Sequence, residues 1–190
     1  MELWNIYDKH RHLTDRIHER GQEIEAGNYH LVVHVWIVND DGQYLIQRRQ
    51  PWKIGFPNMW DCSAAGSAIM GDDSEQAAVR EVKEEIGIDL DIEKGERIFT
   101  VKFSHGFDDI WLVRQNAGIE ELKLQEEEVA EARWASEDEI KEMVKNGEFI
   151  PFNYFDQLFE IVNSPISLEK ASIEDAEELL ALQREVFLQS

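Results

Sequence analysis

Gly66-Ser67-Ala68-Ile69-Met70-Gly71-Asp72-Asp73-Ser74-Glu75-Gln76-Ala77-Ala78-Val79-Arg80-Glu81-Val82-Lys83-Glu84-Glu85-Ile86-Gly87-Ile88 sets a glycine loop ahead of a helix with Glu81, Glu84 and Glu85 on one face. The helix is expected to begin near Asp73 or Ser74, whose side chains accept bonds from the first free backbone N–H groups. Glu75 lies close to the positive end of the helix dipole. Gly87 ends the helix by supplying a left-handed cap. Ala78, Val82 and Ile86 recur every four residues and form a core-facing stripe, while the three glutamates sit three and four apart and share the other face.

Two carboxylates about 4 Å apart repel by roughly 4 kcal/mol at an effective dielectric near 20, so three that converge call for a cation. A hard divalent ion with a preference for oxygen, Mg²⁺ or Mn²⁺, removes that repulsion. The plain alternative in a Glu-rich chain is a solvated acidic helix face. Arg80, inserted beside the cluster, and the glycine-bounded loop favour a site.

The segment resembles the Nudix box, G-x5-E-x7-R-E-U-x-E-E-x-G-U with U aliphatic. Gly66, Arg80, Glu81, Val82, Glu84, Glu85, Gly87 and Ile88 fall in register, and Asp72 stands where the pattern has Glu. Asp keeps the charge but is one methylene shorter, which puts its bond to Arg80 in question. The resemblance implies an α/β fold: a Nudix-type α/β/α sandwich around a mixed sheet, cleaving a nucleoside diphosphate linked to another group. Carried over by position, Glu84 and Glu85 are metal ligands, Glu81 is a ligand or the base that activates water, and Arg80 orients them. The Gly66 carbonyl is a further ligand in this reading. The catalytic set is then Glu81, Arg80 and Glu84, with Mg²⁺ as cofactor and Mn²⁺ as its substitute.

With 190 residues, 43% of them hydrophobic, the chain can bury one sizeable core. A net charge of −21 argues against nucleic-acid polymers and anionic membranes as partners and suits metal ions and small ligands better, the small-molecule diphosphate substrate being what the resemblance implies. The lone cysteine, Cys62, excludes an internal disulfide and reads as a small buried residue, and no Cys/His set has zinc spacing. No basic leader and no apolar run near the ~20 residues of a membrane span is present, so a cytoplasmic protein is expected.

Strands are expected at Leu3–Tyr7, Thr14–His18, His30–Val38, Tyr44–Arg48, Trp60–Ala65, Arg97–Phe103, Ile110–Arg114 and Arg133–Ala135. Asn39-Asp40-Asp41-Gly42 reads as a turn, and residues 50–59, with Pro51, Gly55 and Pro57, as a loop. After the box helix, Ser136 and Glu139 form a capping box for a helix to about Lys145, and another helix follows Pro151. Glu120–Glu131 reads either as a solvated acidic loop or as the source of one more metal ligand from Glu127, Glu128 or Glu131, with Glu128 favoured.

The resemblance extends past the box. His30-Leu31-Val32-Val33, Gln47-Arg48-Arg49, Lys53, Pro57 and Trp60 are similar to the isopentenyl-diphosphate isomerase branch. That branch needs a cysteine before the box glycine and a histidine after it, where this chain has Ala65 and Ser67. His30 keeps one of its metal histidines, while the other upstream position falls near Glu23. The scaffold is thus isomerase-like with a hydrolase box. By the same resemblance Arg48, Arg49 and Lys53 contact the diphosphate, and Asp109 rather than Asp108 faces the cleft as a metal ligand. Arginine forks and a lysine point charge suit phosphate oxygens. Trp36, Trp52, Phe56, Trp60 and Trp111 either pack the core or stack on a base or isoprenoid. The remaining histidines lack metal spacing.

The domain expected over residues 1–163 is followed by an appendage at 164–190, where a strand-like stretch precedes a helix whose cap is Ser172 with Asp175. This tail weakly resembles the opening of a GNAT acetyltransferase, and its apolar helix is expected to pack on the main domain or on a second copy in a homodimer. Three functions follow: a metal-dependent diphosphate hydrolase first, an isomerase second, and a catalytically silent ligand-binding module third.

Overall fold

The computed structural model describes residues 2–164. Two compact units are present, Met1–Tyr154 and a second that begins at Phe155. In the first, strands β1 (Leu3–Tyr7) and β2 (Leu13–Glu19) form an antiparallel two-stranded hairpin. The remaining strands are β3 (His30–Val38), β4 (Tyr44–Arg49), β5 (Trp60–Asp61), β6 (Ala64–Ser67), β7 (Gly95–Phe103), β8 (Gly106–Arg114) and β9 (Val129–Ala135). They make a seven-stranded mixed sheet in the order β5-β4-β3-β8-β7, with β6 also on β3 and β9 also on β4. Among the described strands only β3 and β8 pair in parallel, running from His30 opposite Gly106 to Val38 opposite Arg114.

Alternation along β3 sends Val33, Val35 and Ile37 to one face of the sheet, where they pack with Ala78, Val82 and Ile86 of helix α1 (Ser74–Glu85). The four-residue stripe read from the sequence is therefore the core face. Trp36 turns to the opposite face and stacks on Phe149 at 6.2 Å between ring centres. Phe149 follows helix α2 (Glu137–Lys145), which buries Ile140 and Met143. Helices and sheet thus form the layered α/β arrangement.

The helix ends match their sequence signals. Asp73 caps α1 in a reciprocal box with Gln76, at 2.8 and 3.0 Å, and Gly87 takes φ 77° to close it. Ser136 and Glu139 form the box of α2. The strand expected over Trp60–Ala65 is split into β5 and β6, because Ser63 Oγ leaves the ladder pattern to donate to Leu45 O at 2.6 Å and to accept from Ile37 N at 2.9 Å. The acidic stretch is also more ordered than a solvated loop, since β9 begins at Val129 and Glu131 lies opposite Arg48. The second unit's described part is helix α3 (Phe155–Asn163), in which Phe155 and Phe159 stack at 5.4 Å. From residue 165 onward the proposed appendage lies outside the described residues.

Candidate active site

Gly66 lies within the short strand β6, which packs against α1. Val33 pairs with Gly66, and a Cβ built on that glycine would overlap the Glu81 carboxylate. Only a residue without a side chain lets strand and carboxylate approach this closely. Around this contact lies a pocket of about 300 Å³ lined by Gly66, Glu81, Glu84, Glu85, Arg80, Arg49, Lys53 and Glu128, together with Glu2, Arg20 and Gln125.

The three helix glutamates are not equivalent. Glu81 and Glu85 are buried, whereas the Glu84 side chain is 54% exposed at the pocket rim. Glu85 accepts from Gln47 Nε2 at 2.6 Å and from the Ala65 N–H at 3.2 Å. Burial first, then the charge of Glu81, pushes its pKa up from 4.5 to about 8, against the opposing Gln47 bond. Burial also raises Glu81, partly countered by Arg80. Burial is the leading cause for both acids, and nearby positive charge and hydrogen bonds offset only part of it.

Arg80 supplies the positive charge. Its Nη1 donates to Glu81 at 2.8 Å and to Glu84 at 3.1 Å, its Nη2 to the Ser67 carbonyl at 2.9 Å, and its Nε to Asp72 at 2.9 Å. The shorter acid at position 72 therefore still reaches the arginine. Burial works against the Arg80 charge, but the Asp72 bond and the Glu81 charge outweigh it and raise its pKa. Lys53 pairs with Glu128 across the pocket. Among the described residues no three His, Cys, Asp or Glu side chains are grouped as an ion cage.

The donor chemistry nonetheless fits a hard divalent ion. Glu81, Glu84, Glu85, Glu128 and the Gly66 carbonyl offer oxygen only, and burial raises the pKa of Glu81 and Glu85, so a cation placed among them would favour their charged forms.

Two residues singled out from the sequence stand elsewhere. Asp109 does not face this pocket: its carboxylate is fully buried and is bound by Arg11, by Arg97 at 3.3 Å and by Thr100 Oγ1 at 2.6 Å. A carboxylate saturated by two guanidinium groups and a hydroxyl is a structural anion, which corrects the metal-ligand expectation. Arg48 is the second correction. On β4, Gln47 and Arg49 project to the α1 side, so Arg48 projects away and bonds Glu131 at 2.8 Å and Asn58 Oδ1 at 2.6 Å. Arg49 and Lys53 do line the pocket.

Sequence reasoning did not single out Gln47, Glu2, Arg20 or Gln125 as site residues. Gln47 was quoted only as part of a resemblance, yet its alternation with Arg48 was available as a signal. Arg20 and Glu2 are joined at 2.8 Å at the open end of the β1–β2 hairpin, a placement for which the sequence holds no local signal. Cys62 is wholly buried and donates to Ala64 O at 3.3 Å, and burial, followed by the charges of Asp61 and Glu85, raises its thiol pKa. His34 likewise bonds the Tyr154 hydroxyl at 2.8 Å. Among the described residues no helix is long and apolar enough to cross a membrane.

The chain is similar in sequence and fold to known proteins. The NUDIX domain model matches residues 28–157. An uncharacterized Nudix hydrolase of Listeria monocytogenes is 46% identical over 164 residues, covering 86% of this chain and 97% of that protein. The isopentenyl-diphosphate Delta-isomerase of an Enterobacter species is 38% identical over only 61 residues, 32% of this chain and 33% of the isomerase. In fold, the chain is similar to the crystal structure of DR0079 from Deinococcus radiodurans, with a TM-score of 0.70 at 20% identity, covering 86% of this chain and all of that one. The chain therefore belongs to the Nudix hydrolase family.

Proposed function

We propose that this protein hydrolyses a diphosphate bond in a nucleoside diphosphate derivative or a related diphosphate, with Mg²⁺ or Mn²⁺ as cofactor. The observation that carries the reading is the buried Glu81–Glu85 pair beside Gly66, in a pocket whose other wall presents Arg49 and Lys53.

Gly66, Glu81, Glu84, Glu85 and Glu128 are the residues that would hold the ion. When bound, a divalent cation neutralises charge on the phosphate oxygens and acidifies water. Arg49 and Lys53 bind and orient the diphosphate from the β4 side. Arg80 fixes Glu81 by holding Oε1, and Glu81 Oε2 takes the proton from the attacking water. Its raised pKa suits that role, since a carboxylate of ordinary acidity holds a proton less well near neutral pH. Asp72 and the Ser67 carbonyl keep the Arg80 fork in position.

The isomerase reading is disfavoured by residues on both sides of Gly66. Ala65 has no proton to give, Ser67 is not an imidazole, and the Cys62 thiol is sealed in the core. The silent-module reading loses its motive, because the Asp72–Arg80 bond is made.

The deciding assay incubates the protein with a panel of nucleoside diphosphate compounds, with and without Mg²⁺ or Mn²⁺. Cation-dependent release of phosphate-containing products, lost in Glu84→Gln, is expected. Rearrangement without phosphate products would favour the isomerase, and tight binding without turnover the silent module.

A further inference from the structure

Behind the pocket wall lies a buried carboxylate with a divided task. Asp61 closes the short strand β5, is 2% exposed and stands opposite Gln47 of β4. Residues directly opposite on paired strands project to the same face, so Asp61 shares the α1 side of the sheet with Gln47 and Arg49. Its Oδ1 accepts from the Cys62 N–H at 2.8 Å, and its Oδ2 accepts from Arg49 Nη1 at 3.2 Å. Arg49 lines the pocket, whereas Asp61 does not.

A carboxylate stays ionised in the interior only where charge and hydrogen bonds replace its water. Asp109 meets that need with Arg11, Arg97 and Thr100, none of which lines this pocket. Asp61 meets it with the one guanidinium that does. Arg49 in turn is fastened at two nitrogens, Nη1 on Asp61 and Nε on the Gly55 carbonyl at 3.0 Å. Its Nη2 has no hydrogen-bond partner among the described residues. A planar guanidinium held at two nitrogens has its third fixed in place as well. Lys53, the neighbouring cation, differs in that its ammonium is engaged by Glu128. Arg80 is held in the same manner as Arg49, with Nε on Asp72.

We infer that Asp61 is a positioning residue for the substrate: its buried Oδ2 holds Arg49 so that Nη2 meets a phosphate oxygen of the diphosphate. The inference rests on the diphosphate reading of the pocket and adds to it a residue outside the pocket wall. A purely local role, bracing the step from β5 to β6, is served by Oδ1 alone. Asparagine keeps that oxygen and sets an N–H₂ group against Nη1, so Asp61→Asn separates the two roles.

Binding of inorganic diphosphate in Ca²⁺ buffer is measured calorimetrically for the full-length wild type, Asp61→Asn, Arg49→Ala and the double variant. Mg²⁺-dependent turnover of a nucleoside diphosphate sugar is followed alongside. Loosening a positioned guanidinium should weaken diphosphate binding about ten-fold in Asp61→Asn. KM should rise by the same factor, with kcat within about two-fold. In the Arg49→Ala background the same substitution should add less than about two-fold, because the group it positions is gone. Arg49→Lys, charged but unable to hold both anchors, should lose about as much as Asp61→Asn. Equal losses from Asp61→Asn with and without Arg49 would overturn the inference, since Asp61 would then act through the fold at large. So would a fall in kcat or in binding stoichiometry at unchanged affinity. Where Asp61→Asn does not fold, wild-type affinity in Arg49→Lys overturns it and a ten-fold loss supports it. A wild type that binds no diphosphate sinks the pocket reading and the inference with it, whereas diphosphate bound equally by wild type and Asp61→Asn sinks the inference alone. Loss of binding that depends on Arg49, in a protein that turns over no diphosphate, keeps the inference and sinks the hydrolase reading.

Discussion

Replacing Glu85 by Gln is expected to stabilise the cation-free protein while removing its activity. Glu85 is an acid whose folded pKa, about 8, lies above its ordinary 4.5. Its ionised form therefore destabilises the fold. The penalty is fully present above about pH 8, shrinks as pH falls toward 4.5, and vanishes below that. At about 1.4 kcal/mol per unit, the shift sets an upper bound on the order of 5 kcal/mol. Because the pocket opens to water, an effect of about 1–3 kcal/mol is the expected observable. Glutamine keeps an acceptor for the Gln47 and Ala65 N–H groups. Its new N–H₂ can also donate to Gln47 Oε1, a buried atom that has no hydrogen-bond partner in the wild type. Urea unfolding in EDTA at pH 6 and pH 9 measures the effect. Wild type should lose stability relative to Glu85→Gln between the two pH values, and Mn²⁺ at pH 9 should restore the wild type alone. Parallel pH dependences for the two proteins, with equal stabilisation by Mn²⁺, would refute the idea of a carboxylate penalised by burial.

Further outcomes distinguish neighbouring residues. Asp109→Ala should lower stability by about 2–3 kcal/mol by leaving Arg11 and Arg97 uncompensated, while the cation concentration for half-maximal activity stays put; urea unfolding and a Mg²⁺ titration check both. Lys53→Ala should raise KM about ten-fold or more, whereas Arg48→Ala should leave it within about two-fold, as steady-state kinetics will read. Gly66→Ala should displace the Glu81 carboxylate and reduce kcat about 100-fold, with far-UV circular dichroism unchanged.

Much of the site was legible because it is local. The glutamates, Arg80 and both ends of α1 lie within one segment, where helical periodicity and capping chemistry fix who faces whom. Arg49 and Lys53 were also legible, as cations near the box. Arg48 was misplaced by ignoring alternation, a rule already available in the sequence. Asp109 was misplaced for a deeper reason. Its partners Arg11 and Arg97 come from other strands, and a resemblance by position carries no information about which cations this chain brings to it. The split of the strand before Gly66 likewise depends on Ser63 bonding to Leu45 and Ile37.

The sequence by itself determined the box and its helix with both caps, set by spacing along one piece of chain. Tertiary structure decided which acids are buried, that Arg80 and Lys53 already engage them, that Glu2, Arg20 and Gln125 line the pocket, and that Trp52 and Phe56 remain exposed. The physical reason is that burial and charge pairing are set by groups far apart in the chain, brought together only when β3 pairs with β6 and β8 and α1 packs across them.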